Sequence, residues 1–162
     1  MGVRGDRRKE TIVTKKQVWR YQCDFCGKRK YSAPAMGRHE RHCTLNPNRV
    51  CRVCKMSREG FVRGEADQPD LKTMIAILPD PGKYIIEDEH GQRTYLGLGA
   101  AVELVIPALR EAAQNCPACI MAALRQRKIP VPMVESFDYK NEMEAVWAAV
   151  NEEQMQAREA YY

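Results

Sequence analysis

The sequence predicts a small α+β fold in which metal-ligand side chains do much of what a large hydrophobic interior would otherwise do. Three observations predict it. Between residues 23 and 54 the chain reads Cys23-Asp24-Phe25-Cys26, twelve residues to His39, three more to Cys43, and seven more to a second CxxC pair, Cys51 and Cys54. The seven cysteines leave one further pair far downstream, in Cys116-Pro117-Ala118-Cys119. Short helical and hairpin patterns broken by Gly and Pro fill the rest, with no internal repeat and no low-complexity tract. A CxxC pair sets two thiolates on one tight knuckle, and side chains at i and i+4 share a helix face. Cys23, Cys26, His39 and Cys43 can therefore meet at tetrahedral geometry around Zn²⁺. His42 is a rival for the last place, but it lies three residues from His39, shorter than the span of four that best sets two side chains over one metal, so Cys43 is preferred. The cysteines left over, Cys51, Cys54, Cys116 and Cys119, make one closed four-thiolate set, which gives two Zn²⁺ ions in all. Sixty-one residues separate the two pairs of that second set, more than a zinc ribbon usually spans, and the alternative for such a pair is a buried or redox CxxC.

Taken in order, residues 1–18 read as a basic arm, within which Thr11-Ile12-Val13-Thr14 can add a short strand. Residues 19–46 form the first metal unit. Trp19 to Gln22 alternate aromatic and polar side chains as a strand does, Ser32 suits an N-cap and Pro34 a first turn, so a helix over 33–42 carries the two later ligands. Residues 47–127 form a four-cysteine-stapled α+β region. It opens with the knuckle Val50 to Lys55, continues through a loop over 56–70, and then places Leu71, Met74, Ile75 and Leu78 on one helical face ended by Pro79 and Pro81. Lys83 to Glu87 and Arg93 to Leu96 flank His90-Gly91 as a β-hairpin. A helix over 100–113 leads to Asn115, and another short helix runs from Cys116 to Gln126, so the second metal would join a knuckle to a helix junction. Residues 128–137 read as a proline linker, and 138–162 as an amphipathic helix capped by Asp138. Its apolar face carries Met143, Val146, Trp147 and Val150. Such a helix either folds back on its own chain or docks a protein partner through Met143, Trp147 and Val150.

The segment from about Tyr21 to Cys43 resembles a C2H2-type zinc finger in its Cys-Cys-His-Cys variant. The likeness is carried by Cys23-x-x-Cys26, Gly27-Lys28, Tyr31, Met36, His39 and Cys43, and covers about a seventh of the chain. Tyr31 sits one place later than the family's aromatic, and the last ligand is Cys rather than His. The resemblance implies a ββα-like finger whose base-reading places, counted back from His39, fall on Ser32, Pro34, Ala35 and Arg38. Of these only Arg38 can grip a guanine edge with two hydrogen bonds, so the resemblance implies little sequence-specific reading by this finger alone. A compact finger with a second CxxC pair and no repeats is also loosely similar to small bacteriophage zinc-finger proteins, a likeness that implies no particular activity.

The net charge of +5 hides a division: residues 1–63 carry a balance of +12 and residues 64–162 a balance of −7. The basic half suits nucleic acid or an acidic protein surface. Arg7, Arg8, Lys15 and Lys16 on the arm, with Lys28, Arg29, Lys30, Arg38 and Arg41, are the expected phosphate contacts. No stretch is long and apolar enough to span a bilayer, and the charged first twenty residues do not resemble a signal peptide, so no membrane partner is expected. Thiols kept in metal spacing point to a reducing, cytoplasmic compartment, with the protein free there or incorporated in a virion or other large particle. Both ligand sets are closed, which leaves no place for a catalytic water, and His90 falls in a turn. His42 with Asn46 or Asn48 has a faint likeness to zinc-bearing HNH nucleases, but the second histidine and the strand before it are missing. No catalysis and no small-molecule substrate are expected. The reading is a non-enzymatic zinc-binding protein whose basic half binds nucleic acid mostly through phosphates. Its alternative is a structural or assembly component of a bacteriophage virion or ribonucleoprotein.

Overall fold

The computed structural model describes residues 19–55 and 68–159. The basic arm over 1–18, most of the loop expected over 56–70, and the last three residues lie outside them.

The first unit is a two-stranded hairpin followed by a helix. Strands β1 (Tyr21–Gln22) and β2 (Arg29–Lys30) pair antiparallel, Tyr21 opposite Lys30 and Gln22 opposite Arg29. Between them the knuckle closes on itself, the Cys23 N–H donating to the Lys28 carbonyl and the Gly27 N–H to the Cys23 carbonyl, both at 2.9 Å. Gly27 takes φ +70°, a left-handed conformation that a side chain would oppose. Helix α1 (Ala33–His42) starts with Pro34 in its first turn; Ser32 holds the N-cap position in extended backbone, but its hydroxyl makes no capping bond. The strand is shorter than the alternation from Trp19 suggests, and Trp19 itself is 81% exposed. Tyr31, the aromatic of the family pattern, also stays out of the interior, with the Arg20 guanidinium 5.4 Å above its ring.

The second unit is mainly helical. After the short α2 (Arg52–Lys55) come α3 (Leu71–Ile77), the hairpin of β3 (Ile85–Glu87) and β4 (Arg93–Tyr95), and then α4 (Leu98–Glu103), α5 (Ile106–Ala112), α6 (Pro117–Gln126) and α7 (Tyr139–Glu159). Asp70 caps α3 by accepting from the backbone of Lys72 and Thr73. The hairpin pairs Ile85 with Tyr95, Ile86 with Thr94 and Glu87 with Arg93. The single helix expected over 100–113 is two helices, because Pro107 in the first turn of α5 has no N–H for the carbonyl four residues back. Gly99 lets α4 lie against the chain after α6: a Cβ there would stand 2.8 Å from the Met133 carbonyl oxygen.

Helix α6 is the centre of this unit, buried without interruption from Pro117 to Leu124. It packs against α3 on one side and α7 on another, while α3 also meets α5. Met74, Leu98, Val102, Leu109, Ile120 and Leu124 fill the space between them. The proline-containing segment over 128–137 adds Ile129, Val134 and Phe137 to the same interior. Helix α7 is capped by Asp138, whose carboxylate accepts from the backbone of Lys140 and Asn141. It is tied to α5 by a bidentate pair between Arg110 and Glu142, with the shorter contact at 2.6 Å. On α7, Met143, Val146 and Val150 are half-buried, and Trp147 is 46% exposed. Among the described residues no helix is long and apolar enough to cross a membrane.

Candidate metal centres

Two groups of four ligand side chains form, and each could hold a metal ion. In both groups the ligand atoms lie within 4.8 Å of one another. The first is Cys23, Cys26, His39 and Cys43, with the knuckle supplying two thiols and α1 the other two ligands. His39 turns Nε2 inward, 3.1 Å from Cys26 Sγ. His42 is elsewhere: its Nδ1 lies 2.7 Å from the Val50 carbonyl oxygen, so the fourth ligand position belongs to Cys43. Cys23 and Cys43 are buried and Cys26 is exposed. Burial opposes ionisation of Cys26, but a backbone hydrogen bond from Lys28 and the His39 side chain overcome it and bring the thiol down to about 7. Burial holds Cys43 above the ordinary thiol range.

The second group joins the start of α2 to the start of α6. Two positive-φ residues, Gln114 and Asn115, end α5 and turn the chain so that Cys116 and Cys119 face the Cys51 knuckle. Cys51 Sγ lies 3.7 Å from Cys116 Sγ, and Cys54 Sγ 3.5 Å from Cys119 Sγ. A tetrahedral ion bound through metal–sulfur bonds of ~2.3 Å sets its ligands ~3.8 Å apart, close to this spacing. All four thiols are buried. They share protons unequally: Cys54 and Cys119 are pushed up by their bonds to Cys116, while Cys51 is lowered by Cys116, and Cys116 by Cys119. Four sulfurs cannot all ionise here without a cation between them, so ion binding must expel protons.

The chain between the two centres is held on both sides. The Val50 N–H donates to the Arg41 carbonyl at 2.8 Å, and buried Asn46 donates through Nδ2 to the Glu40 carbonyl at 2.8 Å. From α6, Gln126 Nε2 donates to the carbonyls of Thr44 and Asn46 at 2.9 and 3.0 Å. Gln68 accepts from the Cys51 N–H and donates to the Arg49 carbonyl. The first unit is thus seated on the second by a hydrogen-bonded connector.

Of the basic residues expected at phosphates, Arg7, Arg8, Lys15 and Lys16 lie outside the described residues. Lys30 and Arg38 line an open cleft of about 370 Å³, together with Ala35, His39, His42 and Arg52. Lys28, Arg29 and Arg41 do not line it. Arg52 comes from between Cys51 and Cys54, so the cleft spans the two units, a convergence that spacing along the chain could not reveal. Arg49 and Asn46, both buried, were also outside the expected set; nothing in a turn-rich connector marks them for the interior. Compared with protein-family models, with curated proteins and with solved structures, the chain finds no match in any of the three.

Proposed function

We propose that this chain is a non-enzymatic protein stapled by two zinc ions, one in each cluster, and that its basic half binds nucleic acid mainly through phosphates. Borderline-soft Zn²⁺ suits thiolate and imidazole donors, and closed sets of four protein ligands suit a structural role. The order of hairpin, knuckle and ligand-bearing helix supports reading residues 21–43 as a finger of the Cys-Cys-His-Cys type. A reducing compartment, where these thiols stay available to metal, is part of the same reading.

The observation that carries the nucleic-acid reading is the cleft between the units. Lys30, Arg38 and Arg52 reach it from three different elements, and among the described residues none of the side chains lining it is acidic. Cations gathered around a concave surface raise the local potential and gain by displacing counterions from a phosphate backbone. The test is a salt titration of binding to random duplex DNA and to RNA. The expected plot of log affinity against log salt is steep, and reversing Lys30, Arg38 and Arg52 to Glu flattens it by ~0.9 for each duplex phosphate that is no longer neutralised. Absence of binding at low salt to either nucleic acid would reject the reading.

A second reading, a component of a large particle such as a bacteriophage virion or ribonucleoprotein, draws on apolar side chains left facing solvent. Leu104 is 84% exposed, Leu96 67% and Ile86 49%. A partner surface could cover these or the Trp147 face, and an acidic protein could take the cationic cleft.

A further inference from the structure

Arg49 carries a positive charge into the interior, where no carboxylate among the described residues meets it. The residue is 6% exposed. Among the described residues its guanidinium has one partner, Nη1 donating to Cys119 Sγ at 3.8 Å, and its Nε is buried with no acceptor at all. Its backbone is held on both sides, the N–H donating to the Asn46 carbonyl at 3.2 Å and the carbonyl accepting from Gln68 Nε2 at 2.9 Å. Arginine cannot shed its proton to escape burial as a lysine can, so the charge stays and needs a counter-charge. The apolar side chains of the surrounding interior do not provide one. Four thiolates around a divalent cation do: that complex is a dianion, and here it would be as deeply buried as the guanidinium beside it.

We propose that Arg49 is the counter-charge of the four-cysteine centre, a positioning residue that holds a guanidinium against the Cys119 side of the cluster. The inference rests on the reading of a divalent ion at that centre. It assigns Arg49 an effect on the loaded state. With the ion bound, the guanidinium offsets half of the buried dianion and donates to a thiolate, the kind of outer contact that orients and stabilises a metal ligand. Arg49 therefore favours the loaded protein over the empty one, and it does so from the connector on which the first unit is seated. A side chain that only filled space would stabilise both forms together.

The experiment uses the full chain with Arg49→Met, which keeps an unbranched apolar stem, and Arg49→Lys, which keeps the charge. Co²⁺ is the probe, because a four-thiolate site and a three-thiolate, one-imidazole site differ in their sulfur-to-cobalt absorption, and chelator competition gives each affinity. The expected result is a ~10–100-fold weaker four-cysteine centre in R49M, the usual range for loss of an outer-sphere partner, with the first centre unchanged as the control for folding. R49K recovers part of the loss. Metal-free R49M melts no lower than metal-free wild type. R49M that loads the four-cysteine centre as tightly as wild type would overturn the inference, as would R49M that loses metal affinity and metal-free stability together. Wild type that takes no ion there would overturn the metal reading and this inference with it.

Discussion

The first cluster rests on Cys23, Met36 and Cys43, with Leu45 against them, so that two of its three buried residues are themselves ligands. The second is set into the main interior beside Met74, Leu109 and Ile120. The same kind of ligand set meets opposite surroundings. Burying one Met side chain contributes roughly 1.5–3 kcal/mol, about what ordering two backbone residues costs. Among the described residues the hairpin and the ten-residue helix α1 share no other apolar cluster, and are held otherwise by their own hydrogen bonds and by those to the neighbouring unit. In the proposed reading an ion therefore serves as the interior of the first unit. In the second unit an ion would join a knuckle to helices that already bury a core of their own.

The largest expected effect breaks this comparison at its weak side. Cys43→Ser should abolish the structure of the first unit, with amides of α1 exchanging as in an unfolded peptide while those of α3 and α6 stay protected. Persistent protection of α1 in that variant would mean that the connector alone holds the unit. Next in size, Leu109→Ala empties a fully buried position on α5, the helix that packs against α3 and α4. It should cost ~2–5 kcal/mol in the denaturant unfolding of the helical unit and leave metal uptake by the first cluster unchanged. Equal loss of metal from both clusters would show that the units do not stand apart. The smallest effect concerns α7: Glu142→Gln removes a carboxylate whose pair with Arg110 is only about a quarter exposed on each side, at 28% and 24%. We expect ~1 kcal/mol and faster amide exchange in the first turns of α7, without change at either cluster.

How far the sequence could be read depended on whether a feature is local. CxxC spacing, the i and i+4 relation of His39 and Cys43, the shared face of Leu71, Met74, Ile75 and Leu78, and the His90-Gly91 turn are all decided within a few residues, and the elements they predict over 33–42, 71–77 and 85–95 are present. The pairing of the Cys51 and Cys116 knuckles was reached by counting ligands, since four thiols without partners suggest one site. The break at Leu104 was missed because apolar residues continue through it in helical rhythm, although Leu104 is exposed and Pro107 was the signal. The chain over 128–137 looks like a spacer because Pro130 and Pro132 dominate it, yet Ile129, Val134 and Phe137 are core residues. Arg49 was beyond reach for a different reason. A charged side chain is expected at the surface, and its partner Cys119 is 70 residues away. The same holds for Arg52, which meets Lys30 and Arg38 only after the two units dock.

The most direct test of two separate ions in unlike surroundings is the metal content of the intact chain by native mass spectrometry, read beside Cys43→Ser and Cys119→Ser. Two zinc ions in the wild type are predicted, one in each variant, with helical structure largely retained when only the first ion is lost. A folded wild-type chain with fewer than two ions, or a variant that still holds both, would contradict it.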